Sequence, residues 1–219
     1  TSTAPVVFSA ATDPVASGLV KSLKAPGGNA TGAFQVTNDV VLQRMRLVKE
    51  AFPAAKRIGA VYDRTANNFE QQKAAHEAAA RRVGLELSAA EFTNYEAVAK
   101  HLANFRRDGV NVVVLAPSFT LLSRRRDVAA AALRNEIALV AHRIEWAEAG
   151  ALVTYGAEVA EALRRSAGIA SRVLKGAKPA TVPVERVTNF ELGLNRRTAD
   201  SLSVLLPPTL VKRATRVFG

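Results

Sequence analysis

The sequence contains no cysteine, one methionine, one tryptophan and three histidines. Disulfides, thiolate metal sites and cysteine nucleophiles are thereby excluded. The histidines, His76, His101 and His142, are far apart in the chain, so no histidine-rich metal site is expected. No apolar run reaches the length that would cross a bilayer, and no secretion signal is read at the N-terminus. Catalytic motifs are missing as well. There is no Gly-x-Ser-x-Gly elbow. The glycine-rich stretch Gly27-Gly28-Asn29-Ala30-Thr31-Gly32 is not followed by the Lys-Ser/Thr that a phosphate loop needs, and His76-Glu77 lacks a second histidine four residues on. No Gly-x-Gly-x-x-Gly follows a strand pattern. An enzyme is therefore not expected, nor is a cofactor or a metal.

The 219 residues are 48% hydrophobic and 22% charged, an ordinary globular balance. A chain of this length buries roughly 70% of its unfolded surface and needs no staples. The net charge is +11. The basic residues come as scattered groups, Arg81-Arg82, Arg106-Arg107, Arg124-Arg125-Arg126, Arg164-Arg165, Arg196-Arg197 and Lys212-Arg213, on different predicted helices. No single stripe gathers them. A solvated basic surface explains them without a nucleic-acid partner.

The opening stretch, 5–32, organises the rest. Val6, Val7 and Phe8 form a β-branched and aromatic run, the composition of a buried strand. Asp13-Pro14 reads as a helix start. Leu19, Val20 and Leu23 supply an apolar stripe, and Pro26-Gly27-Gly28 ends the helix. A crossing segment follows.

Helices are then predicted over 38–51, 69–83, from Asn94 to Gly109, 121–135 and 158–175. Strands are predicted over 57–62, 85–89, 110–116, 137–140, 151–154 and 190–194. The run 110–116 is apolar throughout, as a strand covered on both faces should be. Residues 179–187, rich in Pro and Val, read as an extended linker, and 195–204 and 208–217 as closing helices. Strand and helix alternate about every 25 residues, which predicts an α/β fold with parallel sheets and helices on both faces. The count is uneven. One lobe is complete, whereas the opening strand and the 158–175 helix look like parts of a second.

In open parallel sheets, ligands bind just beyond the carboxyl ends of the strands. The residues placed there are Thr12, Asp13, Tyr62, Asp63, Asn67, Asn68, Thr93, Asn94, Ser118, Phe119, His142, Arg143 and Tyr155. Such a set holds a small zwitterion. Arg143 or helix N-terminal N–H groups would take a carboxylate, Asp13 or Asp63 an amine, and Tyr62, Phe119 or Tyr155 an apolar side chain. Asp13, Asn67, Asn68 and Asn94 also occupy helix-cap positions, and capping alone would account for them.

The stretch from Pro5 to Gly32 resembles the signature of the substrate-binding proteins of ABC transporters, in the family that includes tryptophan- and tyrosine-binding members. Three later stretches agree: 148–156 (EAGALVTYG), 170–185 (ASRVLKGAKPATVPVE), and 188–199 (TNFELGLNRRTA) with Leu206-Pro207-Pro208. The resemblance implies a type I periplasmic-binding fold of two lobes joined by crossing segments, with ligand in the cleft. It places residues 1–32 and 156–187 in a first lobe, N-terminally truncated, and 33–155 and 188–219 in the second. Two departures bear on the pocket. Thr12 stands where relatives often have Gly before Asp-Pro, and Asp63-Arg-Thr-Ala-Asn-Asn68 replaces an Asn-Pro-x-Asn-type loop.

The function this implies is capture of a small molecule, an amino acid or an aromatic compound, and its delivery to a membrane permease. Such a protein works in the periplasm or anchored outside the membrane. The expected site comprises Thr12, Asp13, Tyr62, Asp63, Asn67, Asn68, Ser118, Phe119, Arg143 and Tyr155. A homodimer through the open edge of the truncated lobe is a further expectation. The alternative is the ligand-sensing domain of a transcription regulator with the same architecture.

Overall fold

The computed structural model describes residues 3–11, 13–35 and 38–219. The chain divides into two compact units: Thr1–Thr37 with Ala157–Phe190, and Asn38–Gly156 with Glu191–Gly219.

The chain begins with β1 (Val6–Ala11) and β2 (Ala30–Phe34) in the first unit. It then builds α1 (Asn38–Ala51), β3 (Arg57–Asp63), α2 (Phe69–Arg82), β4 (Glu86–Phe92), α3 (Ala97–Arg107) and β5 (Val112–Leu115). Two helices, α4 (Phe119–Ser123) and α5 (Arg125–Arg134), precede β6 (Ala138–Ala141), α6 (Ile144–Ala149) and β7 (Val153–Ala157). The chain returns to the first unit as α7 (Val159–Leu174), a 3-10 turn at Pro179–Thr181 and the short strand β8 (Glu185–Arg186). It closes with β9 (Phe190–Asn195), α8 (Arg196–Ser201), α9 (Pro208–Arg213) and β10 (Arg216–Phe218).

The second unit holds a seven-stranded sheet in the order β10-β9-β7-β6-β5-β3-β4. Its central strands are apolar because both faces are covered, and β5 and β6 are buried along their whole length. One core lies under α1 and α2 and includes Met45, Val48, Ile58, Val114, Val140 and Leu152. The other lies under α3, α5 and α6 and includes Leu102, Phe105, Val113, Leu139 and Trp146. The pairings β3–β4, β3–β5, β5–β6, β6–β7 and β9–β10 are all parallel. The α/β fold with parallel sheets expected from the strand–helix alternation is the fold observed.

The first unit holds a three-stranded parallel sheet, β1-β2-β8. Helix α7 packs against β1 and β2. It alternates a buried stripe (Ala162, Ser166, Ile169) with an exposed face, and Ser166 donates to the carbonyl of Phe8 at 3.1 Å. Gly32 is required where the strands meet. Its φ of +158° lies at the edge of the region that favours glycine, and a Cβ there would stand 2.1 Å from the Phe8 carbonyl oxygen.

Five local expectations are corrected. Residues 13–25 form turns, not a helix: Gly18 takes a left-handed φ of 72°, Leu19 is exposed, and only Val20 and Leu23 of the apolar stripe reach the core with Phe34 and Val184. The segment after Gly28 is not a mere crossing but the strand β2, buried along its length. Residues 179–187 are not a linker: Val184 N donates to Leu23 O at 2.8 Å, Val187 N to Phe34 O at 2.9 Å, and β8 pairs with β2. The 121–135 helix is two helices, broken at Arg124 (φ −105°, ψ 20°), and the chain end past Arg213 is a strand.

Glu161 closes the first unit. Its carboxylate is buried and accepts from Thr188 N at 3.1 Å, Asn189 N at 2.7 Å, Thr188 Oγ1 at 3.1 Å and Arg165 Nε at 2.7 Å. A helix side chain thereby fixes the backbone of the segment leading into β9.

Candidate functional site

The exits of β3 and β5 are neighbours because their strands are paired. Asp63 ends β3 and is buried. Its Oδ1 accepts from Thr65 N at 2.9 Å and Thr65 Oγ1 at 2.6 Å, and its Oδ2 accepts from Ser118 Oγ at 2.7 Å. Burial pushes this carboxyl up, but the donors from Thr65 and Ser118 outweigh it and hold it below its ordinary range. Ser118 also caps α4, accepting from Leu121 N at 3.2 Å. A second tie runs alongside. Gln72 Nε2 donates to Asn68 Oδ1 at 2.6 Å and to the Pro117 carbonyl at 3.1 Å. Two polar loops from distant parts of the sequence are thus held as one rigid edge.

Phe119, the first residue of α4, stands on this edge and is 86% exposed. Its phenyl ring is bare beside an ordered polar loop. Asn67 is exposed on the same loop, as is Arg64. Arg143, after β6, is half-buried and spans Glu145 with Nε and Nη2, the former at 3.1 Å. Tyr155 lies within β7, half-buried, and packs against the α1 core, where burial raises its hydroxyl pKa. Asp13 sits in the first unit, exposed, with Oδ1 accepting from Val15 N at 3.2 Å and Ala16 N at 2.9 Å. Thr12 lies outside the described residues.

Tyr62 is placed differently from its expected position at the edge. Its side chain is fully buried, edge-on to Phe69 (6.2 Å) and to His76 (5.6 Å). Its hydroxyl is buried without a hydrogen-bond partner, and burial raises its pKa further than the charges of Glu77 and Glu91 do. The structure thus brings Asp63, Asn68 and Ser118 into one bonded edge, with Asn67 and Phe119 on the same two loops, and puts Tyr62 beneath it.

Reading the sequence missed the group beneath the edge. Arg44 sits at the middle of α1, on the stripe that buries Val41, Met45 and Val48, and is 4% exposed. A basic residue at that spacing inside an apolar stripe was the available signal. His76, on α2, is 1% exposed. Its Nδ1 lies 2.8 Å from the Gln72 carbonyl, which accepts the proton held there. His142 follows β6, and its carbonyl comes so close to Gly156 that a Cβ there would stand 1.7 Å away.

The sequence matches the family described as ABC transporter substrate binding protein over residues 1–218. The chain belongs to that family. Over 210 residues it is 27% identical to a protein named Tyrosine-binding protein from Clostridioides difficile (strain R20291), covering 91% of this chain and 57% of that one. The chain therefore spans little more than half the length of that relative. It is also similar to a solved ABC domain in complex with L-Trp from Streptococcus pneumonia. That likeness has a TM-score of 0.91 and 27% identity, over 100% of this chain and 73% of the other. The fold is of the type I periplasmic-binding kind. A periplasmic ribose ABC transporter protein from Conexibacter woesei shares it at a TM-score of 0.51 and 17% identity, over 79% of this chain and 62% of that one. The family and the tyrosine-binding relative are binding proteins, not enzymes. Among the described residues, no helix of this substrate-binding protein is long and apolar enough to cross a membrane.

Proposed function

We propose that this substrate-binding protein captures a small molecule, an amino acid or an aromatic compound, outside the cytoplasm and presents it to the membrane permease of an ABC-type uptake transporter. The observation that carries the ligand class is the exposed ring of Phe119 on an edge whose polar loops are already locked by Asp63, Ser118, Asn68 and Gln72. A flat apolar side chain stacks on the ring, and Asn67, Asn68, Arg143 and Tyr155 complete the polar and apolar contacts. The relatives' names, one tyrosine-binding and one solved with L-Trp, support the same class. Thr12 and Asp13 are the first unit's candidates. A regulator's sensing domain rests on likeness of fold alone and explains nothing that the transport reading leaves open.

Thermal melting against amino acids, aromatic acids, sugars and short duplex DNA tests the proposal. A ligand at a hundred times its dissociation constant adds about 2.7 kcal/mol of stability. A shift confined to aromatic amino acids or aromatic acids is expected. A salt-sensitive shift with DNA, or a shift with sugars alone, overturns the reading.

Self-association through β1 belongs to the same proposal. This strand pairs with β2 and lies at the end of its sheet, with Val6 36% exposed. Sedimentation should show dimers that a Val7→Pro substitution weakens; a monomer at all concentrations removes this part.

A further inference from the structure

Arg44 is the buried cation that the fold leaves without a counter-charge. Its Nε and Nη1 are buried with no hydrogen-bond partner, and no carboxylate of the described residues lies within ion-pair reach of it. Burial alone pushes its guanidinium down to about 10, with no acidic neighbour acting against it. Three further polar atoms near it are buried and unpartnered: His76 Nε2, His142 Nδ1 and the Tyr62 hydroxyl. They form one cluster. The Tyr62 and His76 rings are 5.6 Å apart, and the charge of Arg44 is felt at both imidazoles. Helix α1 packs on α2 and on β6, which brings the three elements together. His142 follows β6 at the sheet's carboxyl edge and is half-buried, so the cluster runs inward from the edge already described.

A lone buried guanidinium is costly, and proteins pair it or give it a ligand. Both imidazoles beside it are held neutral, which leaves Arg44 the only charge in the cluster. A carboxylate oxygen would accept a charge-assisted hydrogen bond from the unpartnered Nε–H or Nη1–H. The Tyr62 hydroxyl and a His142 N–H supply further donors of the kind that hold a carboxylate oxygen.

We propose that the cluster of Arg44, His76, His142 and Tyr62 is a carboxylate-binding site, with Arg44 as the charge that selects a solute bearing one carboxylate group. This rests on the transport reading for its ligand and narrows it: the solute carries a free carboxylate. The same chemistry could be met by a small free anion, and the test separates the two.

The experiment follows melting of the wild-type chain, Arg44→Met and His142→Gln at fixed ionic strength, with L-tryptophan, L-tyrosine, indole-3-acetate, tryptamine, acetate and chloride as probes. Without any probe, Arg44→Met should melt no lower than wild type, because it removes an uncompensated buried charge and keeps the volume. The carboxylate-bearing aromatic probes should stabilise the wild type, and tryptamine should not. Arg44→Met should weaken them at least about 30-fold, the lower end for losing one partner of a buried charge pair, and His142→Gln by less. A response to acetate or chloride that Arg44→Met abolishes, with no response to aromatic probes, assigns the site to a free anion and sinks the aromatic ligand class instead. Equal binding of L-tryptophan to wild type and Arg44→Met overturns the carboxylate site and leaves the transport reading standing. No response to any of these probes overturns both.

Discussion

Ser118 donates a 2.7 Å hydrogen bond to Asp63, joining the exit of β5 to the exit of β3. The same serine oxygen accepts from Leu121 N and starts α4, so one hydroxyl fixes a loop, a helix terminus and a neighbouring strand. The exposed Phe119 ring is displayed by the residue that follows it.

Removing that hydroxyl should be felt as stability first. Ser118→Ala loses a cap and leaves a buried carboxylate oxygen without its donor, a cost of about 1–3 kcal/mol. Urea unfolding should show a lower midpoint with an unchanged slope. Because the Asp63 carboxyl is held below its unfolded value, its contribution is present above pH ~4 and is lost as pH falls through its folded value. Asp63→Asn should remove this share of the acid sensitivity. An Asn variant with wild-type stability at neutral pH would mean that the carboxylate charge is idle.

Phe119→Ala should separate binding from folding. The ring is exposed, so its loss should change stability by no more than about 0.5 kcal/mol. If it stacks on the solute, titration calorimetry with an aromatic amino acid should show affinity weakened about tenfold, the worth of a stacked aromatic pair. Unchanged affinity removes Phe119 from the site.

The two buried imidazoles predict a second acid transition at milder pH. Burial, with the Arg44 charge added, lowers both His76 and His142 to about 3. Around them stand Arg44 and Tyr62 for His76, and Arg44, Arg143 and His76 for His142. Unfolded histidine titrates near 6.5, so between the two values the unfolded chain binds the extra protons. Stability should therefore be fully present above pH ~6.5 and decline as pH falls toward 3, by up to about 1.4 kcal/mol per pH unit for each proton. Melting from pH 7.5 to 5 should show the decline in wild type, and His76→Gln should flatten it. A wild-type melting temperature that is constant over that range contradicts neutral burial of the pair.

Glu161→Ala should loosen the first unit. Truncation leaves Thr188 N and Asn189 N without their acceptor, at a cost of about 1–3 kcal/mol. Hydrogen exchange at those two amides should rise while exchange in β5 and β6 stays slow. Equal exchange in both variants would show that the clamp is not holding the segment.

Much of this protein was settled by its sequence alone. The alternation of apolar runs with amphipathic stretches set a parallel α/β architecture, because only a strand covered on both faces reads as Val112-Val113-Val114-Leu115 does. The loop residues past each strand were placed at the sheet edge by topology, and the motifs along the chain carried the family. Tertiary structure decided the rest. Residues 13–25 have a helix's punctuation, but Gly18 takes a left-handed φ within them and they turn instead. Strands β8 and β10 are too short to show a period, and β2, Ala-Thr-Gly-Ala-Phe, lacks an apolar β-branched run; all three exist because a neighbour offers unpaired backbone groups. Arg44, His76, His142 and Tyr62 lie on four separate elements. No local pattern links them. Packing of α1 and α2 over the sheet brings them together, and burial there turns an ordinary arginine into an unpaired charge.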